Sequence, residues 1–250
     1  IRDRLVHHAI YRILYPDFDR QFINDSYSCR LNKGTHKAID RFRAMAFEVS
    51  QNHSLTCWVL KLDIRKFFAN IDHGTLMQII ARSIIDQEIL KLLGLIIRSF
   101  STKPGIGLPL GNLTSQLFVN IYMNEFDQFV KHRLKAKYYI RYADDFVLLS
   151  TDRNWLIGQI LIIEKFLNSR LQLHLHPGKV FLRSYASGID YLGWVHFADY
   201  RILRPVSAKR MFRRIKESNK PATLESYFGL LSHGQAHKLI NQILALKLPD

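Results

Sequence analysis

Asp144 and Asp145 stand side by side between two apolar runs, Tyr138 to Tyr142 and Phe146 to Leu149. Two carboxylates so placed repel each other, by about 4 kcal/mol at ~4 Å and an effective dielectric of about 20, and a divalent cation reverses the sign. The same pair is also ordinary turn chemistry, because aspartate favours hairpin turns. Asp63 bears on the choice. It ends the stretch Val59-Leu60-Lys61-Leu62-Asp63-Ile64, which reads as a buried strand, where a carboxylate without a partner is costly. A strand-end cap is the plainer reading of that residue. If strand and hairpin lie together, three hard oxygen donors meet, a set suited to octahedral Mg²⁺ completed by water and phosphate oxygens. Two such ions activate a 3′-hydroxyl and stabilise a leaving pyrophosphate; spacing alone leaves open whether the strands are adjacent.

The elements that must position these groups follow from periodicity. Asp3 to Leu14 has a helical pattern that Pro16 is expected to stop, and Thr35 to Gln51 resumes one with Ala38, Phe42 and Ala46 on one face. A basic loop, Ser28 to Gly34, joins them. Trp58 to Ile64 reads as a strand, and Thr75 to Ile97 as a helix, with Leu76, Ile79, Ile80, Ile84 and Ile85 at helical spacing. A glycine-rich turn, Lys103 to Gly111, precedes a helix with Phe118, Tyr122, Phe126 and Phe129 along one side. The runs around Asp144 form a hairpin. A helix from about Asn154 to Asn168 follows, then strands near Leu171 to His176 and Lys179 to Arg183, a strand Tyr191 to Phe197, and a basic helical region after Pro205. The alternation is α+β with a sheet core. Without repeats or a linker, subdomains sharing one core are expected.

Composition narrows the partner. In 250 residues, 36 Lys and Arg stand against 21 Asp and Glu, a net charge of +15, which points to a polyanion, nucleic acid before membrane. The 48% hydrophobic content supports a substantial core and excludes disorder. Leu76 to Phe100, the longest apolar region, is interrupted by Arg82, Asp86, Glu88, Lys91 and Arg98, so no membrane span is expected. Cys29 and Cys57 make no CxxC motif or disulfide framework, and no secretory signal opens the chain; a reducing, cytoplasmic setting is expected. The eleven histidines form no metal pattern, although His174 and His176 would share a strand face. Ile1 in place of methionine and the abrupt end at Asp250 point to a fragment of a longer reading frame.

Three blocks in order carry a family resemblance. Leu62-Asp63-Ile64-Arg65-Lys66-Phe67-Phe68-Ala69-Asn70-Ile71-Asp72-His73 resembles the first catalytic-aspartate motif of reverse transcriptases, and Tyr142-Ala143-Asp144-Asp145 resembles their YxDD box. Leu110-Gly111-Asn112-Leu113-Thr114-Ser115-Gln116 is similar to the LGxxxSQ variant of a block that most relatives write QGxxxSP, the variant of diversity-generating retroelements. The resemblance extends from about Tyr11 to Ile243. It implies a right-hand polymerase: fingers at 1–57, a palm at 58–200 with an antiparallel sheet, helices on one face and a fingers insertion around 75–110, and a partial helical thumb at 201–250.

The resemblance also implies roles. Asp63, Asp144 and Asp145, with Ile64, would bind two Mg²⁺, for which Mn²⁺ is a possible substitute, and Lys179 would approach the triphosphate and protonate the leaving pyrophosphate. Arg30 and Lys33 would hold the incoming dNTP, as a forked guanidinium and a lysine suit phosphate oxygens. Phe68 would block a ribose 2′-hydroxyl, with Phe67 the core member of the pair because strand alternation sends them to opposite faces. Leu110, Gly111 and Gln116 would line the nucleotide. Leu110 cannot donate the hydrogen bonds that glutamine would, which accompanies error-prone copying, or else it packs under its turn. Tyr142, Leu192 and Gly193 would contact primer and template, the last two in a primer-grip turn. Lys209, Arg210, Arg213 and Arg214 would follow the duplex backbone, and Lys131, Arg133, Lys135, Lys137 and Arg141 would continue that surface or face an accessory protein. The implied partners are an RNA template, a DNA or RNA primer, dNTPs and a small accessory protein, in the cytoplasm of a bacterial or phage host cell. The other readings are a group II intron-like, retron-like or phage-defence reverse transcriptase, or a polymerase-shaped protein that binds RNA or DNA without turnover.

Overall fold

The computed structural model describes residues 2–218 and 220–245. Its elements run α1 (Arg2–Asp19), α2 (Thr35–Val49), β1 (Trp58–Asp63), a 3-10 turn (Phe67–Asn70), α3 (His73–Ala81), α4 (Gln87–Arg98) and α5 (Leu113–Gln128), which a π-helical turn (Phe129–Arg133) continues. Then come β2 (Tyr139–Tyr142), β3 (Asp145–Ser150), α6 (Arg153–Leu171), β4 (Phe181–Ser184), β5 (Ile189–Tyr191), β6 (Trp194–His196), β7 (Arg201–Leu203), α7 (Pro205–Glu217), α8 (Pro221–Leu231) and α9 (His237–Ala245).

Strand alternation divides the core. The order β2-β3-β1-β4 makes an antiparallel sheet in which Leu60 and Leu62 of β1, with Phe146 and Leu148 of β3, join the apolar cluster built on α5 and α6. Their neighbours Val59, Val147 and Leu149 point the other way, into a cluster with Phe42, Met45 and Ala46 of α2. The helices expected on one face are α5 and α6. α2 covers part of the second because these strands carry aliphatic side chains on both faces, and each face needs a cover. A second sheet, β5-β6-β7, packs Trp194 and Leu203 against Met211 and Ile215 of α7 and Leu224 and Leu231 of α8.

Several expected boundaries move. Pro16 lies inside α1 instead of ending it. Its neighbours Tyr15 and Phe18 are buried, and α1 packs along α5, so tertiary burial outweighs the lost main-chain bond. The single helix expected from Thr75 to Ile97 is two. Asp86 accepts from the Glu88 and Ile89 N–H groups and opens α4, which leaves Ile85 88% exposed between the helices. Leu171 to His176 is not a strand: Leu171 ends α6, Gln172 turns through φ 51°, and pairing with β1's continuation is limited to the bridge between Leu175 and Ile64. The strand expected from Tyr191 to Phe197 folds back at Leu192 and Gly193, whose positive φ values of 49° and 88° make a two-residue hairpin of the I′ type. In the thumb-like region, residues 219 and 246–250 lie outside the described residues. Among the described residues no helix is long and apolar enough to cross a membrane.

Candidate active site

β1 and β3 pair with Asp63 opposite Asp145, and β2 and β3 close with Tyr142 opposite Asp145 around the two-residue loop Ala143-Asp144. Directly opposed residues of an antiparallel pair leave the same face, so Asp63 and Asp145 share a face. Asp144 is held at the same sheet end by its carbonyl, which accepts from the Ile64 N–H at 3.3 Å. Ile64 buries its side chain, so the main chain is what it can offer an ion. The Lys179 ammonium donates to Asp63 Oδ2 at 3.0 Å, and that of Lys61 lies 3.2 Å from Asp145 Oδ2. Burial, reinforced by Asp63, raises the carboxyl of Asp144 above its ordinary range. Burial pushes Asp145 up to about 6, opposed by Lys61 and reinforced by Asp63 and Asp144.

The three carboxylates are hard oxygen donors, the kind a divalent cation takes. Asp145 Oδ1 is a buried acceptor with no hydrogen-bond partner among the described residues, and a divalent ion would both satisfy it and relieve the repulsion that adds to burial in raising these carboxyls. As the side chains stand, no three Asp, Glu, His or Cys groups among the described residues are gathered tightly enough to hold an ion. Lys61 and Lys179 lie against two of the three carboxylates instead.

Arg141 positions the loop. Expected on a basic surface, it is fully buried, pairing in two-pronged fashion with the equally buried Asp127 at 2.8 and 2.6 Å. Its remaining donors reach the Ala143 carbonyl and Ser26 Oγ, both at 3.0 Å. The surface reading fails because β2 runs through the core, and a cation there persists only when every donor is satisfied. Ala143 accordingly holds φ 55°, a left-handed conformation that costs a non-glycine residue roughly 1–2 kcal/mol.

The other expected residues divide. Phe68 is half-buried and Phe67 buried in the 3-10 turn after Asp63; the turn, not strand alternation, separates them. Leu110 is 76% exposed, so it does not pack under its turn, while Gly111 beside it takes φ 91° and Gln116 lies half-buried on α5. Tyr142 accepts at its hydroxyl from Thr35 Oγ1 at 3.1 Å. Lys209, Arg210, Arg213 and Arg214 are exposed on α7. Lys33 donates to the Asn24 side chain and carbonyl, both at 2.7 Å. Arg30 stands in the same loop, Ser28 to Gly34. It turns inward to Asp19 Oδ1 and the Ile23 carbonyl, each at 2.7 Å, and to the Ser26 carbonyl at 3.0 Å, with its side chain 6% exposed. Burial alone would raise the Asp19 carboxyl, but the hydrogen bonds from Arg30 and Tyr15 outweigh it and hold it low. His174 and His176 share no strand; His174 contacts Glu164 and Asn168.

Lys61 was missed. Its signal was a lone cation in an apolar strand, two residues from Asp63 and hence on the same face. Also missed was a cavity of about 350 Å³ lined by Arg65, Lys66, Lys103 and His174 with no acidic residue, just past Asp63.

Residues 1–196 match the model of the family described as reverse transcriptase (RNA-dependent DNA polymerase). Protein YkfC of Escherichia coli is 26% identical over 230 residues, which cover 73% of this chain and 60% of that protein. The group II intron-encoded protein LtrA of Lactococcus lactis subsp. cremoris is 23% identical over 279 residues, covering 83% and 44%. The chain thus spans about half the length of these relatives. Apo telomerase from Candida tropicalis, truncated from its C-terminal domain, shares 11% identity and superposes with a TM-score of 0.60 over 80% of this chain and 45% of that one. Helices on an antiparallel sheet and this likeness give a right-hand polymerase fold. With the family match running through the strand that holds Asp63, the loop that holds Asp144 and the strand that holds Asp145, the chain belongs to the reverse transcriptase family.

Proposed function

We propose that this chain copies an RNA template into DNA by two-metal nucleotidyl transfer, with fingers at 1–57, palm at 58–200 and thumb from 201. The observation that carries the reading is the pairing of Asp63 opposite Asp145, with Asp144 in the adjoining loop and Lys179 at 3.0 Å from Asp63. Held by Asp63, Asp144, Asp145 and the main chain at Ile64, two Mg²⁺ ions, or Mn²⁺ in their place, supply charge neutralisation at the reacting phosphate and activation of the primer hydroxyl. The carboxylates fix where the primer 3′-hydroxyl meets the α-phosphate of a dNTP. Lys179, exposed and mobile in principle on its long stem, delivers a proton to the departing pyrophosphate. Phe68 crowds the ribose 2′ position and selects dNTPs. Gly111 lets the main chain approach the nucleotide closely, Leu110 and Gln116 border it, and Lys33 meets its phosphates, Arg30 supporting the loop from beneath. The Leu192-Gly193 turn and Tyr142 hold the primer end.

The Leu110-to-Gln116 block, with Leu110 exposed, supports the diversity-generating retroelement branch, whose copying is error-prone and whose partners are a structured RNA and a small basic accessory protein, in the cytoplasm of a bacterial or phage host. The likeness to LtrA favours a second reading, a group II intron-type enzyme. Primer extension on an RNA template tests the proposal. Extension that requires Mg²⁺, prefers dNTPs to NTPs and disappears in Asp144→Asn is expected, with errors concentrated opposite template adenines. Uniform fidelity would move the chain to the intron branch. Tight hybrid binding without any extension, with native RNA and accessory protein supplied, would overturn the enzymatic reading and leave a binding protein.

A further inference from the structure

Lys61 leaves β1 on the face that Asp63 uses. Its ammonium lies 3.2 Å from Asp145 Oδ2, donates to the Asp190 carbonyl at 2.8 Å and sits 5.9 Å from the centre of the Tyr191 ring. Asp190 and Tyr191 belong to β5, and β5-β6-β7 form a sheet separate from the one that carries the carboxylates. One ammonium therefore joins Asp145 to the strand that leads directly into the Leu192-Gly193 turn. The far side of that strand is tied as well. The Asp190 carboxylate pairs with Arg204, whose own N–H donates to the Gly193 carbonyl at 3.0 Å and which caps α7.

Lysine carries three donors and no acceptor, so it cannot ligate an ion and finds its partners among oxygens. Both oxygens here belong to parts whose separation matters to the chemistry. We propose that Lys61 is a positioning residue: by holding Asp145 and the Asp190 carbonyl on one ammonium, it fixes the primer-holding turn relative to the catalytic carboxylates. The proposal rests on the polymerase reading and adds to it the element that sets the distance between its two halves.

Lys61→Met keeps the stem and removes the donors, whereas Lys61→Arg keeps charge and donors. With the whole chain and an RNA-templated primer, Lys61→Met is expected to lower kcat by about ten- to a hundredfold, the cost of modest misplacement of reacting groups, while the KM for dNTP stays within about twofold. Hydrogen exchange on the protein without nucleic acid supplies a readout independent of turnover: amides of 189–196 exchange faster in Lys61→Met, and Lys61→Arg restores both exchange and kcat. Lys61→Leu, which likewise has no donor, carries the same expectation and replaces Lys61→Met should that variant fail to fold. A Lys61→Met enzyme with near-normal kcat and unchanged exchange would overturn the proposal, as would an equal loss in Lys61→Arg. Faster exchange at 189–196 in a chain whose wild type extends no primer would leave the contact standing and remove the polymerase reading.

Discussion

Asp145 shows why a site of this kind is built at a cost to the fold. Burial, with Asp63 and Asp144 nearby, raises its carboxyl from 3.8 to about 6, and the attraction of Lys61 is already inside that net shift. A carboxyl raised by folding contributes stability that is fully present below its unfolded value, near 4, and is lost as pH rises through about 6. At neutral pH the ionised group therefore destabilises the metal-free protein by up to about 3 kcal/mol. Asp145→Asn removes that burden. In the presence of a chelator it is expected to melt above the wild type at neutral pH, with the gap closing under acid, while the proposed primer extension is expected to be lost. Mg²⁺ should raise the melting temperature of the wild type more than that of the variant, which has lost one of the three carboxylates. Since protons and metal compete for one carboxylate, the Mg²⁺ concentration giving half-maximal extension should climb as pH falls below about 6. An Asp145→Asn protein that melts below the wild type at neutral pH would remove the electrostatic account.

At the scale of elements, the β2-β3 hairpin is held by Arg141 and Asp127, a pair with no exposed surface. Arg141→Met strands the Asp127 charge in the core and is expected to cost roughly 3–5 kcal/mol. Arg141→Met with Asp127→Leu restores an apolar pair and should recover much of that loss. It should not recover extension, because the Ala143 carbonyl loses its donor and the loop bearing Asp144 loses its anchor. Comparing unfolding and extension across the two single variants and the double separates the two roles; full activity in the double variant would make the pair purely structural. The example also shows what the sequence could disclose. Alternation placed β1 and the hairpin, and the family blocks named Asp63, Asp144 and Asp145. Nothing local told that Arg141 points inward, because a cation in a short strand reads as surface until its partner on α5 is known. The break between α3 and α4 had a signal in Asp86 as an N-cap, overlooked because isoleucines continue the helical spacing across it. Pro16 misled in the opposite direction, since packing on α5 carries α1 past a residue that local rules make a stop.

For the whole molecule the decisive quantity is where the charge of +15 lies. On α7, Met211 and Ile215 are buried against the second sheet and α8, which turns Lys209, Arg210, Arg213 and Arg214 to solvent on a helix whose one acid, Glu217, lies at its end. The apolar side of α7 thus fixes the orientation of its cations, and Arg204 at the helix start ties that orientation to the Leu192-Gly193 turn. A helix so mounted can follow a duplex backbone, and under the proposed function the turn meets the primer end. Binding by phosphate neutralisation depends on salt, losing affinity with a slope of about 0.7–0.9 per contact on logarithmic axes. Replacing the four cations by glutamine is therefore expected to flatten the salt dependence of RNA/DNA hybrid binding by about 3, equally for unrelated sequences. The melting temperature should change little, because these side chains make few internal contacts. Anisotropy of a labelled hybrid across a potassium chloride series reads the slope directly. An unchanged slope would take α7 off the duplex, and the basic surface around Lys131, Arg133, Lys135 and Lys137 would then be the next to neutralise.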